Sequence, residues 1–231
     1  MSRVRPLSDL INRNFVECWE PQYDTRKYPL DFLLRHGASA RNAERPEILK
    51  DALVALLHWK DGKARNFVRG ESHAKPNTVR PIFALREAAL VEFATLFRCT
   101  VEADDKHFVQ CTQGLLDSLC GMWGSVVIPA FVLHVARPER LPIIDQHTAR
   151  AFLQLTRAEI VQDPRITWHF WKDYIAFFHD AMVAAGCGCD LEKRYCLDRA
   201  LFAYGQSLKG RLNGRRRGSA YEASLNSVGS A

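Results

Sequence analysis

The sequence predicts a mainly all-α fold. Apolar residues recur at helical spacing through most of the chain, strand-like alternation is nearly absent, and no internal repeat interrupts the pattern. Of 231 residues, 47% are apolar and 25% charged, enough to bury a core and to exclude global disorder. That length fits one large domain or two small lobes sharing a core.

The elements follow in order. The first 45 residues are the least periodic and are expected to be irregular or to carry a short hairpin. Pro46–Trp59 sets Ile48, Leu49, Leu53, Leu56 and Leu57 near one helical face. Pro81–Phe97 does the same with Phe83, Leu85, Leu90, Phe93 and Phe97. Further helices are predicted over 104–119, 126–136, 146–156, 167–185 and 191–208. Between the first two of these helical stretches, Gly70–Asn77 is a long polar loop, expected to be mobile. Arg137–Pro142 carries two prolines, which end the preceding helix and force an extended connection. From Lys209 onward Gly, Ser, Asn and Arg dominate, so residues 1–208 are expected to form the folded domain and 209–231 a disordered basic tail.

The formal charge of +6 is unevenly placed. After Gly205 the chain holds Lys209, Arg211, Arg215, Arg216 and Arg217 against the single acid Glu222. Four of the six net charges therefore lie behind Gly205, and the rest of the chain is nearly neutral. This permits a polyanionic partner without requiring one. The longest apolar run, Ser125–Leu133, is shorter than the roughly 18 residues of a membrane span. No secretory signal is read at the N-terminus, and seven cysteines, an odd number, point to reduced thiols and a cytoplasmic protein. Cys187, Cys189 and Cys196 lack a C-x-x-C spacing and a second pair, so the cysteines read as small core residues, with no metal or cofactor expected.

The segment that carries chemistry is Leu119–Phe152. It reads as helix, glycine-bearing turn, apolar helix, proline-bracketed loop, and then Asp145 opening another helix. Gly121 and Gly124 can take backbone angles that other residues avoid. Ser125 suits an N-cap, and a helix N-terminus with exposed N–H groups holds a phosphate. Asp145 before Gln-His-Thr-Ala-Arg-Ala-Phe suits a cap as well. The apolar lead-in Leu141-Pro-Ile-Ile144 would also deliver its carboxylate to the edge of a hydrophobic cleft, with His147 and Arg150 one turn on and in reach of a phosphodiester.

In this layout the chain resembles the helix-hairpin-helix DNA glycosylases, nearest the 8-oxoguanine DNA glycosylase branch and its smaller bacterial relatives. Leu119-Cys-Gly-Met-Trp-Gly124 stands in for the family's hairpin, with one extra residue, and Asp145 falls at the family's spacing for its aspartate. Weaker likenesses are His58-Trp-Lys-Asp-Gly62 and Asp198-Arg-Ala-Leu-Phe-Ala-Tyr-Gly205. The resemblance implies a two-lobed all-α fold that flips a damaged or modified nucleotide out of double-stranded DNA and breaks its glycosidic bond. Asp145 would stabilise the sugar cation and orient or deprotonate water. Gly121, Trp123, Gly124, Ser125 and Val126 would grip a phosphate, with His147 and Arg150 assisting. The chain would act as a monomer.

The departures shape the activity expected. Bifunctional members carry a lysine nucleophile two residues after the last hairpin glycine, where this chain has Val126. A monofunctional enzyme leaving an abasic site follows, unless another lysine such as Lys60 substitutes. The four-cysteine iron–sulfur pattern of the endonuclease III branch is absent. An oxidised purine follows from the nearest branch, with a modified cytosine such as those of phage DNA as the other substrate; the role would be repair in the first case and antiviral defence in the second. Among aromatics, Trp168, Phe170, Trp171, Tyr174, Phe177 and Phe178 read as core, whereas Trp59, Lys60 and Phe202 are candidates for the base pocket. Two non-enzymatic readings stand beside this one: a DNA-binding protein that kept the hairpin and lost the chemistry, and a helical interaction module in which Asp145 is only a cap.

Overall fold

A computed structural model describes residues 6–24, 30–60, 82 and 85–212. Among the described residues the chain is helical, with no strand. In chain order the helices are α1 (Leu7–Leu10), α2 (Arg13–Trp19, followed by a 3-10 turn at Glu20–Gln22), α3 (Leu30–Arg41), α4 (Pro46–Lys60), α5 (Glu87–Glu102), α6 (Asp105–Trp123), α7 (Val127–Ala136), α8 (Gln146–Arg157), α9 (Trp168–Ala184) and α10 (Leu191–Leu212). The chain divides into two compact units: a terminal unit of Met1–Asp24 with Ile144–Ala231, and an inserted unit of Thr25–Ile143.

In the inserted unit, α7 is the core helix. Pro129 through Ala136 are all buried, and α7 packs against α3, α5 and α6. A helix apolar on every side can be accommodated only in this way. α4 is nearly as enclosed, with Leu49 and every residue from Ala52 to Leu57 buried; Ile48 remains half-buried. Arg41 donates to the Val135 carbonyl at 3.0 Å, near the open C-terminal end of α7. Arg137 donates to the carbonyls of Thr100 (3.1 Å), Val101 (3.4 Å) and Ala103 (3.3 Å), placing a cation where the α5 dipole is negative.

In the terminal unit, α10 is the spine. It packs against α8, α2 and the 3-10 turn. Tyr204 lies edge-on to Phe15 and Trp19, and Arg199 pairs with Glu20 at 2.6 Å. Of the α9 aromatics expected in the core, Trp171, Tyr174, Phe177 and Phe178 are buried and Trp168 and Phe170, in the first turn, are half-buried; Phe152 of α8 packs on Phe170, Tyr174 and Phe177.

The structure revises several expected boundaries. The first 45 residues hold α1, α2 and α3 rather than irregular chain or a hairpin, among the described residues. With four and seven residues, α1 and α2 are too short to show a helical period. Local capping specifies α2 instead: the Asn12 side chain accepts from the Phe15 N–H at 3.1 Å. α5 begins at Glu87, so Leu85 precedes it and Phe83 lies outside the described residues, while Leu90, Phe93 and Phe97 are buried. α10 continues to Leu212 and so includes Lys209. The loop at 70–77, Asp61 and Gly62, and the tail from 213 with Arg215–Arg217 all lie outside the described residues.

The expectation of reduced thiols is also revised at one pair. Cys99 of α5 and Cys111 of α6 are joined by a disulfide, with Cα atoms 6.3 Å apart. The turn at Ala103–Asp104 folds α6 back along α5, bringing the two cysteines together. Sequence spacing alone does not reveal this, because the two residues sit on different helices.

Candidate functional site

The hairpin belongs to the inserted unit. α6 runs through Cys120, Gly121 and Met122 to Trp123, four residues past its expected end. Gly124 closes it with φ of 63°, a left-handed conformation that favours glycine, and its N–H returns to the Cys120 carbonyl at 2.8 Å. Only Gly124, Ser125 and Val126 separate α6 from α7. Gly121, expected to serve the turn, is an exposed residue in ordinary helical conformation, with open space where a Cβ would be.

Ser125 is not the N-cap of α7. Val126 holds that position in helical conformation, with no side-chain cap. The Ser125 hydroxyl instead accepts from the Val127 N–H at 3.3 Å. Pro129, third in the helix, has no N–H to offer. Of the donors expected at this helix end, Val126 and Ile128 remain, so the grip available to a phosphate is narrower than the sequence suggests.

Trp59 and Lys60 end α4 in the same unit. The Trp59 ring lies 5.4 Å from that of Phe131 on α7, and the Lys60 ammonium lies 5.4 Å from the same ring. Both are half-buried. They therefore pack on the helix that follows the hairpin.

Asp145 belongs to the terminal unit and caps α8. Its Oδ1 accepts from the N–H groups of His147 (2.7 Å) and Thr148 (2.9 Å), while the Thr148 hydroxyl accepts from the Asp145 N–H at 2.9 Å. This is a reciprocal capping box. Oδ2 makes no hydrogen bond among the described residues, and the side chain is half-buried. The carboxylate is thus held rigidly through one oxygen and can offer the other to a proton or a cation.

His147 and Phe202 share this end of α8. Their rings lie 4.6 Å apart, and Phe202 stands edge-on to Tyr23 at 4.9 Å. Arg150 Nη1 donates to His147 Nδ1 at 3.1 Å, which leaves the imidazole proton on Nε2. Burial depresses the His147 pKa below its usual 6.5; Asp145 pulls it back in part, and Arg150 and Lys209 push it down. His147 is therefore a neutral hydrogen-bond donor at neutral pH rather than a cation for a phosphate.

Arg150 does not fill the role expected of it. It is 0% exposed. Its guanidinium donates to the carbonyls of Val161 (2.9 Å), Gly205 (3.1 Å) and Gln162. A phosphate cannot reach it. Arg150 ties the first turn of α8 to α10 and to the chain leaving α8.

Three residues not read as site residues from the sequence complete the surroundings of Asp145. Tyr23 and Tyr174 both have raised pKa values, caused first by burial and then by Asp198, with Asp145 adding to the effect. Both phenols therefore keep their protons. The Tyr174 hydroxyl is fully enclosed, with the Thr148 side chain as its polar neighbour. Asp198, on α10, is 5% exposed. Its burial, in a helix with little apolar periodicity, is a tertiary fact that no local spacing announces. In one unit the fold therefore assembles two carboxylates, two protonated phenols, a neutral imidazole and the ring of Phe202.

Cys187 is buried, Cys189 exposed and Cys196 half-buried, and the Cys196 sulfur accepts from Arg199 at 3.3 Å. No helix among the described residues is long and apolar enough to cross a membrane. Comparison of the chain with protein-family models, with curated proteins and with solved structures finds no match to any of the three.

Proposed function

We propose that the chain is a monofunctional DNA glycosylase, which takes a damaged or modified nucleotide out of double-stranded DNA and hydrolyses its N-glycosidic bond. The observation that carries this reading is Asp145: a half-buried carboxylate fixed through Oδ1 with Oδ2 uncommitted. A three-residue turn closed by Gly124 joins two helices earlier in the same chain, in keeping with the helix-hairpin-helix resemblance.

In this mechanism the C1′–N bond breaks and its electron pair leaves with the base. Positive charge builds on the sugar, and Asp145 stabilises it. Water adds to C1′ and gives its proton to Oδ2. The Phe202 ring offers an apolar face to a base, and His147 Nε2–H offers a neutral donor to the polar groups around it. Val126 stands where a bifunctional relative has its lysine, so no Schiff base forms there.

The capping box supports a second reading, in which Asp145 serves only the helix. Asp145→Asn separates the two, because asparagine caps as well as aspartate but carries no charge. Duplexes bearing oxidised purines or modified cytosines, and phage DNA containing hypermodified bases, serve as substrates with abasic-site detection. The enzyme reading requires abasic sites with the wild type and none with Asp145→Asn. Equal behaviour of the two proteins, or no release from any substrate, favours the cap or the non-catalytic DNA-binding reading. Borohydride should trap no covalent DNA adduct; a trapped adduct would overturn the monofunctional assignment and direct attention to Lys60.

A further inference from the structure

The junction of α5 and α6, within the inserted unit, gathers three metal-binding side chains. One ligand atom from each of Cys99, His107 and Cys111 lies within 4.8 Å of the other two. His107 Nε2 is 3.4 Å from the Cys99 sulfur. We propose that, in the reduced protein, these three residues bind a zinc ion.

His107 and Cys111 are four residues apart on α6 and so share one face of the helix. Cys99 is presented by the last turn of α5, four residues before the turn that reverses the chain. The Asp104 side chain accepts from the His107 backbone N–H at 2.8 Å and fixes the start of the helix that carries two of the ligands. A disulfide accounts for the two cysteines but leaves the approach of the imidazole to the Cys99 sulfur without a purpose. A metal site uses all three.

The donor set selects the ion. Two thiolates and an imidazole suit zinc and disfavour calcium and magnesium, which require oxygen. Two thiolates balance the charge of Zn2+, so the site needs no further charged partner. His107 is exposed, which leaves water free to take the fourth tetrahedral position. Metal and disulfide exclude each other. A small thiol reductant supplies two electrons and two protons to open the disulfide and is itself oxidised to a disulfide. Zinc binding then displaces the two cysteine protons.

The test uses the full chain, purified under a phosphine reductant from zinc-supplemented medium. Metal content is measured by inductively coupled plasma mass spectrometry, and the cysteine redox state by thiol alkylation and mass spectrometry. About one zinc per chain is expected. Loss of a mere outer-shell partner weakens metal binding by about 10–100-fold, so His107→Ala and Cys111→Ser should weaken it by more than about 100-fold. Cys189→Ser, at an exposed cysteine outside the site, should keep its zinc. His107→Ala removes an exposed side chain, so its circular dichroism should match the wild type. That makes zinc loss attributable to the ligand, even if a cysteine variant folds poorly. Cobalt(II) in place of zinc should give a thiolate charge-transfer band that disappears in Cys111→Ser. A zinc-free protein with Cys99 and Cys111 reduced would overturn the proposal, as would zinc retained in both His107→Ala and Cys111→Ser. None of these readouts depends on DNA or on glycosylase activity.

Discussion

A Cβ placed on Gly205 would fall 1.9 Å from the carbonyl oxygen of His147. Helices α8 and α10 meet at this point, backbone against side-chain-free backbone, and Arg150 bonds the Gly205 carbonyl beside it. The first turn of α8, with Asp145 at its cap, owes its position to the absence of a side chain on α10.

Gly205→Ala should therefore destabilise the protein. Overpacking costs about 1–3 kcal/mol where side chains can yield, and here the obstacle is backbone, so about 3 kcal/mol or more is expected. Thermal unfolding should shift down by about 6–12 °C or more. An unchanged melting temperature would mean that the two helices separate freely.

Arg150 should act on stability and not on DNA attraction. Arg150→Met leaves the carbonyls of Val161, Gln162 and Gly205 without their donor, at a cost of about 3 kcal/mol or more. At temperatures where the variant is folded, its DNA affinity should keep the wild-type salt dependence. A slope lowered by about one unit would restore Arg150 as a phosphate contact.

Asp145 should show separable roles. Asp145→Ala loses the cap and about 1 kcal/mol of stability, whereas Asp145→Asn stays close to wild type in urea unfolding. Should both substitutions destabilise equally, the negative charge rather than the hydrogen-bond geometry secures the helix end.

His147 gives the stability a pH dependence. Its folded-state pKa lies below the usual 6.5 because it is buried. Unfolding therefore takes up a proton, and stability falls as pH drops below about 6.5, levelling once the folded form also protonates. His36 contributes with the same sign, through burial and then Arg35. Urea unfolding at about pH 7.5 and about pH 5.5 should show a smaller loss for His147→Gln than for wild type. Equal losses would assign the effect to His36 and other groups.

Much of the helical layout was legible in the chain. α4, α8 and α9 carry either an apolar period or a clear cap, and α7 is an apolar run set between Gly124 and the proline-bearing loop, so local rules and tertiary packing agree. The short helices near the N-terminus were not legible, because α1 and α2 are too short to show a period and the packing of α2 comes from α10, far away in sequence. The same distinction runs through the candidate site. Asp145 was visible because capping chemistry is local: an aspartate three residues before a threonine at a helix start. The buried state of Arg150 was not visible, since an arginine one turn into an amphipathic helix reads identically whether it faces solvent or three carbonyls. Gly121 and Ser125 carry less than the sequence suggests, because α6 continues through the first and the N-cap of α7 lies one residue beyond the second.

By itself the sequence determined the all-α class, most helix positions, the turn at Gly124 and the cap at Asp145, all set by interactions within a few residues. Tertiary structure alone decided that Gly205 admits α8, that Tyr23, Tyr174 and Asp198 surround Asp145's end of that helix, and that Cys99 and Cys111 meet beside His107. Those relationships join residues on different helices, and the free energy that brings them together comes from burying the faces of whole helices rather than from any motif they carry.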